Sequence, residues 1–135
     1  MDAAARVIAV QGLGAATAVI AKEAGVSNGS LFTYFDTKAD LLNQLYLDLK
    51  ADMGAAALGG LPTEADVREQ LLHMCSGWLR WATAHPERRR TLAQLDVSDE
   101  ITAATHAAAS EAMKSLAEVL ERSRANGASV VSARI

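Results

Sequence analysis

Apolar residues recur every three or four positions along most of the chain, and the interruptions fall on glycines: Gly12, Gly25, the pair Gly59-Gly60, and Gly127. That spacing is the period of an α-helix with one buried face, and glycine is the residue that most readily ends such a helix. Composition agrees. Alanine supplies 28 of the 135 residues, whereas only 6 are aromatic and 2 are proline, a balance that favours close-packed helices over a β-rich sandwich. The length fits a single compact domain, undivided or built in two small halves. The expected fold class is all-α, with six or seven helical segments and no strand.

The net charge of −3 excludes a generally basic nucleic-acid coat protein but leaves room for a local binding face. A single cysteine, Cys75, forms no internal disulfide, no signal-peptide pattern is present, and no apolar run approaches the length of a membrane span. These features point to a soluble cytoplasmic protein. Enzymatic chemistry has little foothold. There is no glycine-rich phosphate loop, no HExxH pair and no cysteine cluster, and His73 and Cys75 would stand roughly 200° apart on one helix, unable to pair. Neither a cofactor nor a metal is expected.

Punctuation divides the chain as follows. Asp2 to Gln11 reads as a short first helix, stopped by Gly12. Thr17 to Ala24 and Ser27 to Tyr34 read as two further short helices around Gly25. Thr37 and Asp40 have capping-box spacing at the head of a longer helix lined by Leu41, Leu42, Leu45, Leu49 and Met53. The turn Gly59-Gly60-Leu61-Pro62 separates the two halves, giving an expected first domain over 1–58 and a second over 61–127. In the second, Thr63 and Asp66 repeat the capping spacing. Val67, Leu71, Met74, Trp78 and Trp81 form one stripe, and Leu72, Cys75 and Leu79 a second, so this helix is expected to be covered from two sides. Pro86 opens a short helix with Arg88, Arg89 and Arg90, a run that reads as solvated. A last helix is expected from Ser98 to Asn126, through Ile101, Met113, Leu116 and Leu120, and residues 128–135 as a frayed tail.

The most informative stretch is Thr17 to Lys38. Gly25 can take positive φ at little cost, and Ile20, Ala21, Ala24, Val26 and Leu31 can form a miniature core holding the second short helix at a steep angle to the first. This is the helix-turn-helix unit, which presents its second helix to the major groove of DNA.

The run GLGAATAVIAKEAGVSNGSLFTYFDTKADLL, from Gly12 to Leu42, resembles the DNA-binding domain of the TetR family of bacterial transcriptional regulators. AGVS at the turn, Gly-Ser-Leu-Phe opening the second helix, Tyr34-Phe35, and Lys38 followed by Leu41-Leu42 carry the likeness together. The resemblance implies a helix-turn-helix DNA-binding domain followed by a partial helical effector and dimerisation bundle. It also implies a sequence-specific regulator, a repressor released by a small apolar or amphipathic effector, with a double-stranded DNA operator as partner.

Carried over position by position, it makes Ser27 to Tyr34 the recognition helix and places Asn28, Gly29, Ser30 and Thr33 against DNA. Chemistry agrees. Asn28 can offer a donor and an acceptor to a base edge, Ser30 and Thr33 can bond a base or phosphate, and Gly29 permits close backbone approach. Thr17 is expected to cap its helix, with a hydroxyl within reach of a phosphate, and Tyr34 and Lys38 are expected phosphate anchors. Plainer roles exist for several of these: Thr17 purely as a cap, Tyr34 as core, Lys38 as a solvated lysine. In the second half, Met74, Cys75, Trp78 and Trp81 are the candidate effector-pocket residues, with a core stripe as the plainer reading; His73 and His106 read as surface histidines.

Against the family pattern, the chain reads as shortened at both ends, without the basic arm and without the C-terminal helices of the usual homodimer. Residues 1–50 carry 4 cations against 5 acids, so weak DNA binding per domain is expected. The alternative function is an interaction module that pairs with a full-length relative and blocks its DNA binding.

Overall fold

The computed structural model describes residues 2–62 and 65–112 together with Lys114 and Glu118. Among these residues there are seven α-helices and no strand: α1 (Asp2–Gln11), α2 (Thr17–Ala24), α3 (Asn28–Tyr34), α4 (Lys38–Leu58), α5 (Val67–Ala84), α6 (Pro86–Asp96) and α7 (Ala103–Ala112).

The first helix shows what the alanines do. Ala3, Ala4, Ala5, Val7 and Ile8 are all buried, so α1 presents an almost smooth face on which its neighbours lie close. With so little side chain in the way, α6 reaches the backbone of α1 directly: the buried Thr91 hydroxyl donates to Ala5 O at 2.7 Å, and Gln94 donates to Ile8 O at 3.3 Å. Gly12 then ends α1 in the left-handed region, at φ 81°, with its N–H on Ile8 O.

The central element is α4. Thr37 caps it, accepting from Asp40 N at 3.1 Å, and Leu41, Leu42, Leu45, Tyr46 and Leu49 are buried along it. α5 lies very close to its C-terminal half. A Cβ on Gly77 would stand 2.1 Å from Ala56 O, so only glycine permits that approach. The main apolar cluster crosses the Gly59–Pro62 turn without a break: Ile8, Ile20, Leu31, Leu41 and Leu45 pack in one core with Trp81, Leu92, Leu95, Ile101 and Ala109.

Several sequence expectations are corrected. Asp66 itself caps α5, accepting from Glu69 N at 2.8 Å, while Thr63 lies outside the described residues. The second stripe of α5 is not covered among the described residues: Leu72 and Leu79 are more than half exposed and Cys75 is exposed. No helix starts at Ser98. Its hydroxyl accepts from Glu100 N and holds a turn, which Asn43 of α4 clamps by donating to Glu100 O at 2.8 Å and accepting from Thr102 N at 3.0 Å. Thr102 then caps α7, accepting from Thr105 N. Met113, Leu116, Leu120 and the 128–135 tail lie outside the described residues.

The arginine run also divides. Arg89 and Arg90 are exposed, but Arg88 is half-buried, donating from Nη1 to Asp52 Oδ2 at 2.8 Å and from Nη2 to Asp2 Oδ1 at 2.9 Å. Trp81 Nε1 donates to the same Asp52 oxygen at 2.6 Å. Burial pushes the Asp52 carboxyl up, yet the hydrogen bonds from Trp81 and Arg88 and the charges of Arg88 and His85 outweigh it and hold its pKa below the ordinary value. The two histidines are half-buried, not surface groups: His73 Nε2 stands 2.7 Å from Gly59 O, and His106 meets the Tyr46 ring edge-on, at 5.2 Å between centroids.

Candidate nucleic-acid interface

Backbone chemistry builds the α2–α3 unit. Ala16 is extended and occupies the N-cap of α2 without a side-chain hydrogen bond, so Thr17 is the first helical residue and not the cap. At the other end Gly25 sits at φ 76°, Val26 N donates to Ala21 O at 3.0 Å, and Gly25 N donates to Lys22 O at 3.1 Å. This paired pattern is the Schellman closure, and it requires the left-handed residue that glycine supplies without strain. Two residues later Ser27 is extended again and caps α3, accepting from Ser30 N at 3.1 Å. The helix expected to be the recognition helix therefore begins at Asn28, with Ser27 as its cap.

Leu31 is the buried residue of α3, seated with Ile20 and Ala21 in the main core, while Phe35 packs half-buried at its edge. Val26 and Ala24 do not join this core. Val26 is 45% exposed, and Ala24 is exposed as well. With one buried position in seven, nearly all of α3 faces solvent.

The hydroxyls on that surface are already engaged. Ser27 Oγ donates to Ser30 Oγ at 3.0 Å, and Thr33 Oγ1 donates back to Gly29 O at 3.1 Å. Each oxygen retains a lone pair for a further contact. Asn28 differs: it is exposed and its carboxamide makes no hydrogen bond among the described residues, so both its donor and its acceptor are unused. Tyr34 is 82% exposed. Lys38 is half-buried, and its Nζ donates to Leu13 O at 2.7 Å, tying the 12–16 turn to the head of α4 and leaving two N–H groups free. The structure thus gathers Ser27, Asn28, Gly29, Ser30, Thr33 and Tyr34 on one exposed helix and its cap, with Lys38 as the first residue of α4.

Charge is sparse here. Arg6 pairs with Glu23 at 3.3 Å and Lys50 with Asp96 at 3.7 Å, which leaves Lys22 as the residue 1–50 cation with no ion pair or side-chain hydrogen bond among the described residues.

A TetR-type N-terminal model, described as bacterial regulatory proteins of the tetR family, matches residues 1–45. Residues 1–45 are thus similar to the N-terminal domain of that family. The whole fold follows the same pattern. A tetR family transcription regulator from Shewanella sp. PV-4 superposes with a TM-score of 0.83 at 28% identity, over 93% of this chain and 68% of that one. Regulators of the family from Marinobacter aquaeolei VT8 (TM-score 0.86, 24% identity, 93% and 66% covered) and Vibrio parahaemolyticus (0.74, 22%, 93% and 69%) share the fold. This chain thus spans about two thirds of each of these TetR chains.

The four expected effector residues are not brought together. Met74 and Trp81 are buried on the inner face of α5, but Cys75 is exposed and Trp78 is 41% exposed, its Nε1 resting 3.2 Å from Met53 Sδ. Two clefts among the described residues lie elsewhere. One, about 250 Å³, is bounded by Asp2, Arg6, His85 and Arg88. The other, about 390 Å³, lies between Tyr34, Phe35, Asp40, Asn43 and Thr105. Sequence reasoning missed Asn43, Asp52 and Arg88, whose tertiary partners lie 29 to 86 residues away and leave no local signal. Among the described residues no helix is long and apolar enough to cross a membrane.

Proposed function

We propose that this chain is a sequence-specific DNA-binding transcription regulator that enters the major groove with α3 and reads a base through Asn28. The observation that carries this reading is the unused carboxamide of Asn28 at the first turn of an exposed helix, held by a fold that buries only Leu31 of that helix. A carboxamide can pair twice with an adenine edge, whereas the surrounding hydroxyls and Lys38 suit phosphate contacts that set register. Thr17, Ser27, Ser30, Thr33 and Tyr34 take that supporting role. Family likeness adds the finer statements: two copies reading two half-sites, repression, and release by a small apolar or amphipathic effector bound among the helices after Pro62. Half-sites would then lie about 34 to 36 Å apart.

Selection from a pool of randomised duplexes tests it. The chain enriches a common motif, and Asn28→Ala relaxes preference at one position of that motif at a cost of about 1 to 3 kcal/mol. Equal loss of affinity on every duplex makes Asn28 a phosphate contact instead, and failure to enrich any motif overturns the reading.

A further inference from the structure

Three helices meet at one guanidinium. Arg88, at the start of α6, extends Nη2 to Asp2 of α1 and Nη1 to Asp52 of α4, and Trp81 of α5 shares the Asp52 oxygen. The remaining polar ties from α6 to α1, through Thr91 and Gln94, end on backbone carbonyls and involve no other helix. We propose that Arg88 is the positioning residue that fixes the α1–α3 headpiece against the α4–α6 frame, and so sets where the recognition helix stands relative to the rest of the molecule.

The geometry of the side chain supplies the restraint. A guanidinium is a rigid planar fork, so two carboxylates bonded to its two terminal nitrogens are held at a fixed separation and direction. One of those carboxylates belongs to the helix on which α2 packs and the other to the helix that forms the central element. Energy points the same way. The side chains of Asp2 and Asp52 are 67% and 42% exposed, and ion pairs this open add little to overall stability. What the cluster contributes is therefore direction more than stability, and losing it leaves a folded chain with a less defined headpiece.

The test uses the native Cys75, exposed on α5, as one spin-label site and Lys22→Cys on α2 as the other. The labelled chain, diluted with unlabelled protein, gives one narrow distance distribution. Adding Arg88→Gln broadens it at least twofold while the melting temperature stays close to the parent's, and Asp2→Asn, a change at a largely exposed side chain, does the same. Arg88→Lys restores it only incompletely, since an ammonium cannot span both acids in one plane. A distribution unchanged in both Arg88→Gln and Asp2→Asn, measured well below melting, overturns the proposal. A DNA titration rests on the functional reading above, and there Arg88→Gln loses about tenfold in affinity. Absence of DNA binding by the parent chain is a failure of that functional reading, and the distance measurement still decides the role of Arg88.

Discussion

A Cβ added to Gly29 would meet nothing nearer than Ser27 Oγ at 4.0 Å, and the backbone there is helical, so α3 has no internal need of a glycine. Gly29→Ala is then expected to leave the fold intact and to raise its stability by up to about 1 kcal/mol through helix propensity. If the backbone approaches DNA as proposed, the same change lowers DNA affinity; a thermal melt and a binding titration on one preparation read the two effects separately, and undiminished affinity would remove Gly29 from the interface. Tyr46 is the opposite kind of residue, buried and committed to the fold, with its hydroxyl donating to Asp96 at 2.7 Å. Burial, the hydrogen bond to Asp96 and the charge of Asp96 push its pKa up to about 12 from 10.0. Because the folded value lies above the unfolded one, this contribution is complete below pH 10.0 and is lost as the pH rises towards about 12. Tyr46→Phe should cost about 1 kcal/mol at neutral pH and flatten that alkaline loss of stability, which denaturation at several pH values would show.

At the scale of helices, the sequence is most legible where local chemistry sets the ends. The bounds of α1 and the Thr37 cap of α4 could be read directly, because a left-handed glycine and a side-chain cap act within four residues of themselves. α7 could not be read this way. Its true start depends on Asn43, 59 residues earlier, reaching the backbone of Thr102, and periodicity alone would have run the helix back to Ser98. Gly77 was equally opaque, since nothing in its neighbourhood announces that the Ala56 carbonyl lies against it. That contact is backbone on backbone and cannot yield by a side-chain rotation. Gly77→Ala should force α4 and α5 apart at a cost of about 1 to 3 kcal/mol, seen as a lower urea midpoint; an unmoved midpoint would mean the two helices do not meet as described.

Across the molecule, the headpiece and the helices after Pro62 share one apolar core, which explains why the glycine-rich turn marks a change of direction in the chain without dividing the packing. The helix-turn-helix was legible because its determinants are contiguous, whereas the frame that orients it depends on Asp2, Asp52 and Arg88 meeting across the fold. Charge at this scale also shapes binding. With Arg6 and Lys50 paired internally, Lys22 and Lys38 are the cations of residues 1–50 left to neutralise about two phosphates, so binding through this half should make log affinity fall against log salt with a slope of about −2 per protomer. A titration at several salt concentrations giving a much steeper slope would require cations that this surface does not offer. The central claim, that α3 is the surface that meets DNA, is tested most directly by mapping backbone amide NMR shifts while a selected duplex is added. The account predicts that the largest changes fall on residues 27–34 and at the heads of α2 and α4, with α5 little affected; changes centred on α5, or none on α3 at saturating duplex, would contradict it.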